Sequence, residues 1–488
     1  TSDDAFGTPL KTILALAASS LVPLAWAKKV HFDLNLTWQK GAPDGNAREI
    51  IFMNDLFPGP ELRITQGDDV EGRLFGLHLF ITQDPFQQDL PIEPGRSWTY
   101  RWKATQYGTY WYHAHARLEM ADGLYGAIWI NPAPETLDPL LQISTDPTDI
   151  ATMKKAEKNL HLFILSDWDH LTAAEYQQAQ RDSGLNLACM DSVLINGRGA
   201  VYCPGTNNIS SVELPYLKTA IGNQPLTDKG VNQSPEIHSI QRLTFSLHRC
   251  LPNIYQTQGD FPPTIEANVP KGLNAGCKPT TGLHEIINVN ADHGWVSLKF
   301  ISAAFMKSLM FSIDEHPMYI YKVDGSYIEP QLAESVAIFS GERYAAMVKL
   351  DKPYKDYTIR GSDNIYPSQP FVDYEGRSTS AAVKALDQRN MKPYPPVTVP
   401  RHADQLTKNG TWVDLLLQLG DMSHTPPIQA THVMHKHSNK GFILGAGRDF
   451  FIWTSTEEAN AERPELFQLD NPLKRDTLLQ MDPPARLG

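Results

Sequence analysis

The side chains best suited to chemistry in this sequence are histidines, and two groups of them have telling spacing. Residues 111–116 read Trp-Tyr-His-Ala-His-Ala, which sets His113 and His115 two positions apart. On an extended strand such residues leave the same face, so the two imidazoles lie side by side. A pair of that kind suits copper, zinc or iron, although a hydrogen-bonded surface pair has the same spacing. Farther along, His432, His435 and His437 fall within six residues. His435 and His437 share a face if extended, while His432 points elsewhere and could serve a neighbouring metal. A polar edge strand or a pH-responsive cluster is the alternative. His78 stands alone among apolar neighbours (Phe75, Leu77, Leu79, Phe80), and spacing does not select it. His316, between Glu315 and Pro317, reads as structural.

Those imidazoles need a scaffold. At about 150 residues per domain, 488 residues suggest three domains. A composition 41% hydrophobic and 20% charged supports ordinary cores and argues against disorder, collagen or coiled coil. The net charge of −12 offers no basic face, so nucleic acid is excluded as a partner. Residues 1–27 have the order of a secretory signal: Lys11, an apolar run over 12–24, then Ala25, Trp26 and Ala27. No other stretch is long and apolar enough to span a bilayer. An oxidising route makes Asn35, Asn208, Asn232 and Asn409 candidate glycosylation acceptors. It also makes Cys189, Cys203, Cys250 and Cys277 candidates for disulfides, with three pairings open.

Alternating apolar residues predict strands at 30–38, 97–103, 109–113 and 126–130, separated by Gly/Pro/Asp turns. Further strands are expected at 161–168, 192–198, 285–289, 295–301 and 357–360; helical pattern is sparse, with 172–181 and 379–388 the best candidates. Short strands at this spacing suggest antiparallel sandwiches. The divisions are a signal at 1–27, a first domain at 28–135, and a second at 155–370 with an insertion. A linker at 371–400 and a third domain at 401–488 follow.

Several segments together resemble the multicopper oxidases, most closely the secreted ascomycete members found with pigment and secondary-metabolite pathways. They run from Phe57–Pro60 and Thr65–Asp69 through Tyr100–Ala116, Asp122–Gly126 and Leu194–Gly197. Ser312–Pro317, His432–His437 and Asn471–Asp476 complete the series in the family's order. The resemblance implies an all-β fold of three cupredoxin-like Greek-key β-sandwich domains, the third incomplete. It implies a trinuclear copper cluster between the first and third domains, a mononuclear copper in the third, and up to four coppers in all. His113 and His115 match one trinuclear pair, His435 and His437 another, and His432 the mononuclear ligand. The implied reaction is one-electron oxidation of phenolic or polyketide-derived compounds coupled to reduction of dioxygen to water. The expected protein is a secreted or cell-wall monomer; a ferroxidase is the nearest enzymatic rival.

The sequence also departs from the family pattern. The interval from Asp69 to Pro91 is short and holds only His78 where the family carries H-x-H-G. Val433 replaces the proline of H-P-x-H-x-H, and the family's later H-C-H-x-x-x-H motif has no counterpart, Cys277 being the last cysteine. Loss of ligands predicts weakened copper binding. A truncated or degenerate homologue with little copper is therefore the competing expectation.

Overall fold

The computed structural model describes residues 28–75, 92, 95–115, 118–134, 136–184, 187, 189–203, 205–207, 227–229, 269–363, 386, 388, 391–396, 416–417, 432–435, 440–447 and 451–480. The signal segment, His78, His437, Asn208, Asn232, Asn409 and Cys250 lie outside them.

Seven strands build the first unit: β1 (Lys29–Gly41), β2 (Arg48–Met53), β3 (Gly59–Thr65), β4 (Asp69–Phe75), β5 (Ser97–Lys103), β6 (Gly108–His113) and β7 (Tyr125–Asn131). They form one sheet of order β2-β1-β4-β5 and a second of order β3-β7-β6. Period-two patterning explains the stacking: in β1, Leu34 and Leu36 are buried while Asp33 and Asn35 face solvent. Leu34 and Leu36 join Ile51, Met53, Leu62 and Leu74 in the core of this unit.

The second unit opens with α1 (Leu140–Ile143) and α2 (Pro147–Lys158), then β8 (His161–Trp168), α3 (Ala173–Ser183) and β9 (Ser192–Ile195). It continues through β10 (Trp295–Ser302), β11 (Leu309–Ile313), β12 (Met318–Val323), β13 (Ser326–Ala333), β14 (Ser335–Ile338), β15 (Arg343–Lys349) and β16 (Ile359–Asp363). Its sheets run β13-β12-β15-β10-β8-β9 and β14-β11-β16, around a core that includes Phe163, Phe300, Phe311, Ile320 and Val348. β10 is buried at every position, as a strand covered on both faces must be. The third unit contributes β17 (His432–His435), β18 (Gly441–Phe442), α4 (Thr456–Glu462), β19 (Lys474–Arg475) and β20 (Thr477–Gln480). Its described ladders are β17 with β20 and β18 with β19.

Three expectations need correction. The sandwiches are not purely antiparallel, since β1 with β4, β3 with β7 and β8 with β10 pair in parallel. Residues 285–289 form no strand despite their alternation; Ile286 is 73% exposed, and no strand among the described residues supplies a ladder. Helices also occur where none is expected. α2 starts because the Asp146 side chain accepts a hydrogen bond from Thr148 N and Pro147 sits at the first helical position, both strong start signals. The helix expected at 172–181 is α3, with a capping box between Thr172 and Glu175 and left-handed Gly184 at its end. The helix expected at 379–388 falls mostly outside the described residues.

The structure pairs Cys203 with Cys277, and Cys189 is also in a disulfide. Asn35 is exposed on β1.

Candidate metal centre

β6 carries the first histidine pair. Its register against β7 sets His113 opposite Tyr125 and Tyr112 opposite Gly126. Past the end of β6 the ladder is prolonged by Ala114 N donating to Leu124 O at 2.9 Å, so the chain stays extended through Ala114. Ala114 is buried, and His113 and His115 flank it on the other side. Their ring centroids are 6.1 Å apart with planes at 30°, and Trp111, two residues earlier on the same face, stacks on His113 at 3.9 Å. The indole fixes the imidazole plane. The His113 Nδ1 lies 2.8 Å from Ala114 O. A carbonyl oxygen only accepts, so Nδ1 carries the proton and Nε2 is the lone-pair nitrogen of the neutral ring.

His435 is set in the same way from another part of the chain. On β17 it pairs with Thr477 of β20, and its Nδ1 donates to Asp476 O at 2.9 Å. Its Nε2 is again the lone-pair nitrogen. Metal-binding histidines commonly have their second nitrogen held by a carbonyl or carboxylate in this fashion.

The two strands meet through Arg343, at the start of β15. Its guanidinium grips the Asp476 carboxylate with both ends, Nη1 to Oδ1 at 2.6 Å and Nη2 to Oδ2 at 2.7 Å. Its Nε donates to Thr109 O on β6 at 3.2 Å, and Nη1 donates to Gly341 O at 2.9 Å. One fully buried side chain of the second unit therefore holds both the strand of His113 and the segment that orients His435. Gly341 marks how close these strands come. A Cβ there would stand 3.8 Å from Thr477 Oγ1 and 4.0 Å from Trp111 Cζ2.

The charges around the junction are balanced. Arg475 donates to Asp324 at 2.8 Å and to Glu342 at 2.6 Å, and all three side chains are buried. Burial works to raise the Asp476 carboxyl, but Arg343, with Lys440 behind it, outweighs that and holds it at about 2. Burial alone would lower the Arg343 guanidinium; Asp324 and Asp476 hold it above its ordinary value. Burial pushes Lys440 down to about 8.

Of the six histidines named as metal-ligand candidates by sequence, three have described side chains: His113, His115 and His435. His432 is described in its backbone only, on β17 three residues before His435. Among the described residues no three His, Cys, Asp or Glu side chains form a metal-holding group. His316 is structural as expected: it is buried, with Nδ1 2.8 Å from Asp314 O and its ring edge-on to Tyr357. Sequence reasoning missed Arg343 and Trp111, and used Asp476 only as part of a motif. The period-two spacing of Trp111 from His113 was a signal for the stacking. Nothing local marks Arg343, whose carboxylate partner is 133 residues away.

Family models described as multicopper oxidase match residues 76–135 and 159–381, and the chain belongs to the multicopper oxidase family. It is 41% identical to Laccase abr2 of Aspergillus fumigatus, across 93% of this chain and 88% of that protein. It is 34% identical to Multicopper oxidase VdtB of Byssochlamys spectabilis, across 96% of this chain and 79% of that one. The first alignment runs over 538 positions, more than the 488 residues available, so that relative carries stretches within the matched span that this chain lacks. A variant of the laccase from B. aclada shares the fold with a TM-score of 0.56 at 18% identity, covering 93% of this chain and 81% of that one. The multicopper oxidase Fet3p does so at 0.51 and 16% identity, covering 93% and 84%.

Membership makes copper the cofactor and copper-dependent oxidation with reduction of dioxygen the family chemistry. The described donors fit that metal: they are imidazoles, two of them with Nδ1 held by a carbonyl oxygen. No helix among the described residues is long and apolar enough to cross a membrane.

Proposed function

We propose that this protein is a secreted, glycosylated, monomeric laccase-like oxidase that takes single electrons from phenolic or polyketide-derived compounds, in the making of a pigment or other secondary metabolite. The observation that carries the reading is the shared setting of His113 and His435, each with Nδ1 held by a carbonyl oxygen on strands joined through Arg343. Copper would be held by His78, His113, His115, His435 and His437, with His432 serving a separate copper in the third of three domains (28–135, 155–370 and 401–488). Bound there, copper supplies a one-electron acceptor and, as a cluster, the capacity to reduce dioxygen. The protein's own part is to orient. Trp111 holds the His113 ring plane, and the two carbonyls hold Nδ1 of His113 and His435, which leaves Nε2 as the nitrogen that would face a metal. The names of Laccase abr2 and Multicopper oxidase VdtB support the choice of activity.

A second reading is favoured by the short interval between Asp69 and Pro91, which holds one histidine, His78. On that reading the chain is a homologue with fewer coppers and little turnover. Copper per chain by elemental analysis, a visible absorption scan and oxygen uptake with a phenol separate the two. Oxygen uptake with several coppers per chain supports the oxidase. A partial complement without uptake supports the second reading.

A further inference from the structure

We propose that Arg343 is a positioning residue of the metal centre, the clamp through which the second unit sets the distance between histidines of the first and third. The inference rests on His113 and His435 being copper ligands and adds what holds them together. Arg343 is 2% exposed and commits all three guanidinium nitrogens: Nη1 and Nη2 to the Asp476 carboxylate, Nε to Thr109 O, and Nη1 also to Gly341 O. Both of its long-range partners bear on a histidine-carrying strand. Thr109 is on the same strand and the same face as Trp111 and His113. Asp476 orients His435 through its own carbonyl oxygen. The Tyr110 ring lies 5.3 Å from the guanidinium carbon, closing the side facing β6.

A planar fork is what this geometry requires. A fork fixes direction as well as charge, and a lysine ammonium at the same place would keep the charge while losing the direction. A pair needed only for cohesion would make no demand on the copper spectrum. A pair that sets the spacing of two imidazoles would.

The test uses the purified full chain, titrated with Cu(II) against a competing chelator and followed by electron paramagnetic resonance, with melting temperature measured alongside. Arg343→Lys and Asp476→Asn are expected to weaken Cu(II) binding about 10-fold to 100-fold and to change the nitrogen hyperfine pattern, as losses next to metal ligands do. Arg48→Lys is the control. Arg48 is also buried, pairs with Asp122 at 2.8 Å and stacks on Trp168, so it joins the first unit to the second through partners other than Thr109 and Asp476. It is expected to lower the melting temperature and leave the copper affinity and spectrum unchanged. If Arg343→Lys and Asp476→Asn merely melt earlier, as Arg48→Lys does, the positioning role is overturned. Should Arg343→Lys fail to fold, Asp476→Asn decides, because it retains the carbonyl that His435 uses. His435→Gln separates the two levels of inference. If it leaves the copper signal unaltered, the ligand assignment fails and the positioning role with it. If it abolishes the signal while Arg343→Lys does not, only the positioning role fails.

Discussion

Replacing Glu157 with glutamine should destabilise the protein severely, and by an amount that depends on pH. Glu157, on α2, reaches under the main sheet of the second unit. It accepts from Lys299 at 2.6 Å, Lys322 at 2.7 Å and Ser297 at 2.8 Å, and also from the Tyr321 hydroxyl. The lysine side chains are 0% and 2% exposed, and both ammonium groups lie about 5 Å from the Trp129 ring of β7. Two buried cations thus depend on one carboxylate. Removing one partner of a buried ion pair costs about 3–5 kcal/mol, because the remaining charge is left uncompensated. Glu157 retains 17% of its exposure, which admits some water and argues for the lower end, about 3 kcal/mol. For a unit of roughly 200 residues that corresponds to a fall of about 6–12 °C in melting temperature. Burial pushes Lys299 down to about 7 against the raising pull of Glu157. A depressed lysine binds fewer protons folded than unfolded, so stability rises with pH up to its unfolded value. Without Glu157 the depression deepens, so the deficit of the variant should narrow as pH rises from about 5 to about 7, above which Lys299 is neutral in both folded states. The assay is calorimetric melting of parent and variant across that range. A fall of less than about 3 °C, or a deficit constant with pH, would refute the reasoning.

Three further outcomes are expected. Burial works to lower His170, but Asp44 at 2.8 Å and the Asp191 charge outweigh it and hold the imidazole above its ordinary value. The stability this supplies is complete below about pH 6.5 and lost as pH rises through the raised value, so His170→Gln should flatten that decline in denaturant titrations. Asp169 is buried, its Oδ2 has no hydrogen-bond partner among the described residues, and burial followed by the Asp191 charge raises it to about 7. Asp169→Asn keeps an acceptor for Leu171 N and should raise stability by on the order of 2 kcal/mol at about pH 8, with the gain shrinking toward about pH 4. Gly126→Ala should cost about 1–3 kcal/mol, because the added Cβ would fall 2.1 Å from Tyr112 Oη, which donates to Pro60 O; a melting curve matching the parent would contradict this.

Much of the outline was legible in the chain because it is carried by local pattern. Apolar alternation located β5 and β8 to the residue, since a half-buried or buried strand writes its faces into consecutive side chains. The capping signals of α3 were readable for the same reason, whereas α2 was passed over because its polar, lysine-rich run has little apolar periodicity. At 285–289 the alternation was present and the strand was not, since pattern supplies a face but not a partner to pair with.

The spacing of His113 with His115, and of His435 within its cluster, was determined by sequence alone, as were the motif order and the chemistry of the donors. Tertiary structure decided which carbonyl sets each tautomer and which strands run parallel. It also decided that Cys203 pairs with Cys277, and that Arg343 links Thr109 to Asp476 across three units. The physical reason is range. A strand or helix face repeats every few residues and so is written locally, while a buried ion pair such as Arg343 with Asp476 joins residues 133 positions apart whose types alone name no partner.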